Sequence, residues 1–158
     1  MDIGSGRGWP SSALSNFAPH PFTFDGIECA SMEGLLQAFK SDKIHIQREI
    51  CKLVGRKAKN RGKNRNKRWK SQQKLWWNGK EFDRHGPEYQ QLLDRAFEAL
   101  AENEGFKRAL LATGNAVLKH TIGKSDPRDT VLTKREFVSR LTKIRMRLQT
   151  EEKNAKCN

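Results

Sequence analysis

Residues 14 to 40 read LSNFAPHPFTFDGIECASMEGLLQAFK, and this stretch spells out a strand, a turn, a second strand and a helix. Phe22 and Phe24 alternate with Pro21 and Thr23, the period of a half-buried strand. Asp25-Gly26 follows, a pair that tolerates the positive φ a two-residue hairpin turn requires. A return strand from Ile27 to Ala30 is expected. Ser31 then offers a side-chain oxygen to the unpaired amides of a helix start, and Met32, Leu35, Leu36 and Phe39 recur at helical spacing. That face packs on a core.

The polar residues of the same helix carry more information about function. At about 100° per residue, Glu33, Gln37 and Lys40 fall on one narrow stripe. An acid, an amide and a cation in line form either a solvated helix face, with the acid favourably near the positive N-terminus, or the wall of a site. Asn16, set among apolar neighbours just ahead of the hairpin, either makes a turn or presents its amide to a ligand.

Working outward, helical signals dominate. Ile44 to Lys59 read as a second helix with Ile46, Ile50, Leu53 and Val54 inward, and NRGKNRNK after it (residues 60–67) reads as a loop. Pro87 opens a helix whose Tyr89, Leu92, Leu93, Ala96, Phe97 and Leu100 form a continuous apolar stripe. Phe106 to Ala112 make a shorter one closed by Thr113-Gly114, and Ala116 to Ile122 read as a short strand. Thr133 and Glu136 form a capping box ahead of a last helix with Phe137, Leu141, Ile144 and Leu148 inward. Its outer face, with Arg135, Arg140, Lys143 and Arg147, widens the positive surface. Residues 1 to 13 form an irregular leader. The whole is a single, mostly helical α+β domain over residues 1–148 with a small β component, the N-terminal hairpin; the charged tail 149–158 lacks an apolar face and is expected to fray.

Charge is distributed unevenly. Residues 50 to 80 hold 12 of the 31 Lys and Arg and none of the 18 Asp and Glu, leaving 19 cations against 18 anions elsewhere. The formal excess of +13 is thus one segment, suited to polyanions and to salt-dependent association, or else a solvated loop that aids solubility. Trp69, Trp76 and Trp77 are interleaved with it; at least one belongs to the core, and an indole can also stack on a base. A chain of 158 residues suits one domain. It shows no apolar run long enough for a membrane span and no signal peptide. Three cysteines far apart argue against a disulfide framework or a zinc knuckle. A cytoplasmic protein without metal or cofactor is expected.

LSNF, PF, DG and SMEGLLQAFK, in this order and spacing, resemble the NADAR or YbiA-like family of N-glycosidases. GRKAK (55–59), Trp69, LLATGNAVLKHTIG (110–123) and LTKIRMRL (141–148) continue the resemblance in family order, over roughly residues 10 to 148. The resemblance implies an α+β domain and a hydrolase of N-glycosyl bonds. Breaking such a bond builds positive charge on the sugar, so a fixed anion and a positioned water are needed, and one carboxylate can supply both effects. Glu33 matches the glutamate of the family's E-x-x-x-Q-A-x-K motif and takes that role. Lys40 matches its lysine, to bind phosphate or stabilise the departing group. Asn16, with Phe17 beside it, matches the SNF segment and orients ribose or base, and Gln37 supports them.

Gly55 and Arg56 form the GR step, and Arg56 with Lys59 suits a pyrophosphate. The family tryptophan falls at Trp69, with stacking on a substrate ring implied, and Gly114 belongs to the TG segment. Asp126 lies where the family places an acid, but the Trp-Gly pair that usually follows is absent from DPRDTVLTKREF, and Asp129 is the alternative. Family members hydrolyse either ADP-ribose from guanine bases or ribosylamino-pyrimidine phosphates of riboflavin synthesis. The polycationic segment favours the first, with an ADP-ribose-containing nucleotide or ADP-ribosylated nucleic acid as partner and no membrane. A binding module that holds nucleotide or nucleic acid without hydrolysis is the remaining class.

Overall fold

The computed structural model describes residues 1 to 157; Asn158, the end of the expected tail, lies outside them. The hairpin forms as β1 (Phe22–Phe24) and β2 (Ile27–Cys29), with Phe22 opposite Cys29 and Phe24 opposite Ile27. Asp25 and Gly26 take φ of 49° and 78°, the two left-handed residues of a type I′ turn. Helix α1 (Met32–Ala38) starts on Ser31, whose hydroxyl oxygen accepts from the Gly34 amide at 3.1 Å while donating to the Leu53 carbonyl at 2.9 Å. One serine thus caps the helix and ties it to the next segment.

That segment differs from the single helix expected over Ile44 to Lys59. The chain forms α2 (Ile44–Cys51), leaves the helix, and re-enters as α3 (Gly55–Lys63) through Gly55 at φ 54°. The break has a cause. The Leu53 carbonyl receives Ser31, and the Cys51 carbonyl receives the Ala30 amide at 2.8 Å, so both turn toward α1 and away from a helical ladder. Ile50 is fully buried as expected, but Leu53 and Ile46 are only partly buried and Val54 is exposed.

Residues 60–67 are not the loop their composition suggests. Helix α3 runs to Lys63, and α4 (Asn66–Gln72) follows after two residues. Ala58 and Gly62 form the buried face, and Gly62 lies so close to α1 that a Cβ there would fall 1.7 Å from Gln37 Oε1. Small residues replace an apolar stripe.

A second hairpin, absent from the sequence expectations, follows: β3 (Lys74–Trp77) and β4 (Lys80–Asp83), with Trp77 opposite Lys80. Its Asn78-Gly79 turn, φ 51° and 91°, repeats the chemistry of Asp25-Gly26. The Gln47 amide donates to the Ser41 and Trp76 carbonyls and accepts from the Asn78 amide, fixing this hairpin on α2. Trp69, Trp76 and Trp77 are all buried.

Helices α5 (Pro87–Leu100) and α6 (Glu104–Ala112) match expectation, the latter capped by Asn103 and followed by Gly114 at φ 58°. The capping box opens α7 (Lys134–Cys157): Glu136 accepts from the Thr133 amide at 2.8 Å, and Thr133 accepts from the Glu136 amide at 3.1 Å. The helix runs on through the segment expected to fray, where Arg147–Glu151 and Lys156–Glu152 pair one turn apart. On its outer face Arg140 and Arg147 are engaged by Asp94 and Glu98, which reduces the positive surface expected there. No strand forms over Ala116 to Ile122; Lys119 makes only an isolated parallel bridge with Asp2. Among the described residues no helix is long and apolar enough to cross a membrane. The core is continuous, with Phe39 set edge-on to both Trp77 and Tyr89.

Candidate functional site

A cleft of about 530 Å³ runs between two walls. One is built from residues 15–70: Asn16 and Phe17, Glu33 and Gln37 of α1, Lys40 just past it, then Arg56, Lys59 and Lys63 of α3 with Asn66, Trp69 and Lys70 of α4. The other comes from the loops at 120–124 and 129–132. The polar stripe of α1 is therefore no solvated face: Gln37 and Lys40 are buried and Glu33 half-buried. Ser31 sets the start of α1, and the Glu33 amide donates to the Asn16 carbonyl at 3.0 Å, which clips the SNF segment beside the acid.

Of the residues singled out in the sequence, Asn16, Phe17, Glu33, Gln37, Lys40, Arg56, Lys59 and Trp69 all reach this cleft. Gly55 does not line it; a Cβ there would lie 3.8 Å from the Phe17 ring. Gly114 and Asp126 do not line it. Gly114 ends α6, and Asp126 spends its carboxylate on the Arg128 guanidinium and amide. The acid that does line the cleft is the alternative, Asp129. Trp69 is almost wholly enclosed and gives its indole N–H to Asn66 at 3.3 Å, so it backs the cleft wall more than it offers an open stacking face. Lys63, Lys70, His120 and Lys124 also line the cleft, beyond the candidates named from the sequence. Read as a helix, residues 55–63 would have shown Arg56, Lys59 and Lys63 on one face at spacings of three and four; nothing in the sequence marks His120 or Lys124.

The electrostatics are lopsided. Six cations (Lys40, Arg56, Lys59, Lys63, Lys70 and Lys124) face two carboxylates, Glu33 and Asp129. Other members of the basic segment are neutralised outside: Arg61 pairs with Glu49 and Arg68 makes a two-point contact with Asp42. Burial pushes the Glu33 carboxyl up, and the Gln37 amide, donating at 2.8 Å, and the Lys40 charge only partly offset this. Burial also brings the Lys40 ammonium down to about 8, assisted by Lys70, Lys124 and Lys59 and opposed by Glu33. Acid and base both shift toward neutral, so desolvation outweighs their mutual attraction.

The second wall is a loop held from behind. Gln73 donates to the Arg128 carbonyl, Arg84 Nε to that of Thr130 at 2.9 Å, and the Tyr89 hydroxyl to that of Val131. Arg84 is itself buried and makes a two-point contact with Glu136 at 2.8 and 3.1 Å. Among the described residues no group of three or more His, Cys, Asp and Glu could hold a metal ion.

Comparison with known proteins agrees with this architecture. The solved NMR structure of the E. coli protein YbiA matches with a TM-score of 0.62, covering 96% of this chain and 86% of that one at 19% identity, so the fold is YbiA-like. An uncharacterized 17.1 kDa protein from the Gp30-rIII intergenic region of Enterobacteria phage T4 is 40% identical over 147 residues, 92% of this chain and 96% of that protein. The family model described as Bacteriophage protein GP30.3 matches residues 8–146, a span that includes every cleft residue named above. The chain belongs to the Bacteriophage protein GP30.3 family.

Proposed function

We propose that this protein hydrolyses the N-glycosidic bond of an ADP-ribose-type substrate, removing ADP-ribose from guanine bases in nucleic acid or nucleotides. The observation that carries the reading is a partly desolvated carboxylate, Glu33, set in a cleft ringed by six cations. Such a cleft suits a ligand with several phosphate charges and one reacting centre that turns positive. Its volume, about 530 Å³, lies in the range of small-molecule sites, about 300–1,000 Å³. The resemblance to NADAR-type N-glycosidases points to the same reaction.

In this reading Glu33 faces the anomeric carbon and stabilises the oxocarbenium-like charge as the bond breaks. Water attacks that carbon and passes a proton to the Glu33 carboxylate. The bonding electron pair leaves with the base nitrogen, which takes a proton from the Lys40 ammonium; return of the Glu33 proton to Lys40 resets the site. Gln37 holds the carboxylate in place, and Arg56, Lys59 and Lys63 grip the pyrophosphate. Asp129, which lines the cleft, serves as the second acid in this reading.

Incubating the protein with ADP-ribosylated guanosine and with an ADP-ribosylated oligonucleotide, and following base release by chromatography, tests the reading. Release abolished by Glu33→Ala with ligand binding retained supports it. Cleavage of ribosylamino-pyrimidine phosphates instead would move the substrate assignment, and tight nucleic-acid binding with no cleavage of any of these would make the protein a binding module.

A further inference from the structure

The cleft is rich in hydrogen-bond donors, and its acceptors include the Glu33 and Asp129 carboxylates, the Asn16 amide and the His120 ring. Its six cations only donate, one Glu33 oxygen already accepts from Gln37, and a ribose brings hydroxyl donors that need somewhere to go. His120, on the wall opposite Glu33, supplies an acceptor whose state is set by the fold. Its Nδ1 lies 2.9 Å from the Ile3 carbonyl oxygen; a carbonyl can only accept, so Nδ1 carries the hydrogen. In the neutral ring Nε2 is then a bare lone pair.

The ring is packed on two sides. It stands edge-on to Phe137, with centroids 5.1 Å apart and planes at 82°. On another side it rests against Gly123, where a Cβ would lie 2.5 Å from its Cδ2. The Ile3 carbonyl is in turn placed by backbone bonds between the first residues and Lys119: the Ile3 amide donates to the Lys119 carbonyl at 2.8 Å. Among the described residues the ring's hydrogen bond is the one from Nδ1 to Ile3, which leaves Nε2 for a ligand.

We infer that His120 is a ligand-binding residue that accepts a ribose hydroxyl through Nε2, so that the cleft selects a ribosylated pyrophosphate over a bare one. The inference rests on the ADP-ribose reading above and adds a specificity residue to it. The phosphates are held by the cations of α3 and α4, and the sugar is read by the loop at 120–124.

Two substitutions separate this role from a structural one, because an asparagine amide overlays Nδ1 and a glutamine amide overlays Nε2. His120→Asn keeps the donor to Ile3 and loses the acceptor; His120→Gln does the reverse. Titration calorimetry with ADP-ribose and with inorganic pyrophosphate, alongside thermal melting, reads both. The expected result is a loss of about tenfold in ADP-ribose affinity for His120→Asn, the scale of one hydrogen bond of about 1.4 kcal/mol, with pyrophosphate affinity and melting temperature unchanged. His120→Gln is expected to melt lower yet retain more of the preference for ADP-ribose. Equal ADP-ribose affinity in the wild type and His120→Asn overturns the role of His120 and leaves the N-glycosidase reading standing. Failure of the wild type to bind ADP-ribose while binding pyrophosphate overturns both.

Discussion

Glu33 and Lys40 are an acid and a base for which burial costs more than their attraction returns, and this fixes the pH window of the site. Glu33 titrates above the ordinary glutamate range and Lys40 at about 8. Activity that needs the carboxylate ionised and the ammonium charged is expected to be bell-shaped in pH, with its acid limb above an ordinary glutamate and its alkaline limb near pH 8. A kcat/KM profile checks this; an alkaline limb near the usual lysine value, 10.4, would remove Lys40 from the reaction. The sign for stability is separate. Because the folded pKa of Lys40 is depressed, the unfolded chain binds the extra proton between pH 8 and about 10.4, so the penalty for burying Lys40 is full below that window and is relieved as pH rises through it. Glu33, Gln37 and Lys40 were legible because helical spacing lines them up. Asp129 was legible only as the alternative to Asp126 and His120 not as a site residue, since their place depends on long-range contacts to Arg84, Tyr89 and Ile3 that no local pattern encodes.

At the scale of elements, α1 is positioned by close backbone approach instead of side-chain bulk. A Cβ on Gly34 would lie 2.7 Å from the Leu53 carbonyl oxygen and 3.0 Å from that of Ile50. Alanine would improve helix propensity by about 1 kcal/mol, but the clash is with backbone and has no flexible end to yield. Gly34→Ala is therefore expected to lower stability by about 1–3 kcal/mol net, read by denaturant titration, and to disturb Glu33 next to it; an unchanged midpoint would mean that α1 can withdraw from the break after α2. The same close packing explains which elements the sequence revealed. Hairpin β1–β2 and helices α1, α5 and α7 carry turn, cap and periodicity signals that agree with their tertiary setting. Helices α3 and α4 do not, because their buried face is made of Ala58, Gly62 and Trp69, and a stripe of small residues looks like loop composition. Hairpin β3–β4 carried a legible Asn-Gly turn; its strands were obscured by the cations around Trp76 and Trp77. Residues 116–122 look like a strand because Val117, Leu118 and Ile122 are apolar, yet only Leu118 is buried, so little apolar burial holds a ladder there.

Across the whole molecule, the charge excess divides into cations spent on surface acids and cations left to the cleft. Replacing Lys59 and Lys63 by alanine is expected to reduce oligonucleotide affinity and lower the slope of log affinity against log salt by about one per lysine, whereas alanine at Arg61 and Arg68, already paired with Glu49 and Asp42, should change it far less. Equal effects from both pairs would point to a diffuse positive surface. Stability has its own charged centre. Glu136 caps α7 and holds the buried Arg84, and although burial alone would push its carboxyl up, the bonds from Arg84, the Thr133 amide and Gln90 hold it below the usual range. Its contribution is therefore present above the ordinary glutamate pKa and is lost only as pH falls through the depressed value. Glu136→Ala strands the Arg84 charge and should cost about 3–5 kcal/mol, measured by chemical unfolding. Removing Glu136 would also loosen the wall it supports from behind. That wall has no helix or strand over residues 128–132, yet the amides of Asp129, Leu132 and Thr133 are bonded to Asp126, Thr130 and Glu136, and three of its carbonyls accept from Gln73, Arg84 and Tyr89. The amides of Asp129, Leu132 and Thr133 should exchange with solvent more slowly than those of an open loop, while the exposed Lys59 and Lys63 opposite keep their rotamer freedom. Adaptation to different ligands then falls to the charged side, and one face of the cleft stays a fixed template for shape.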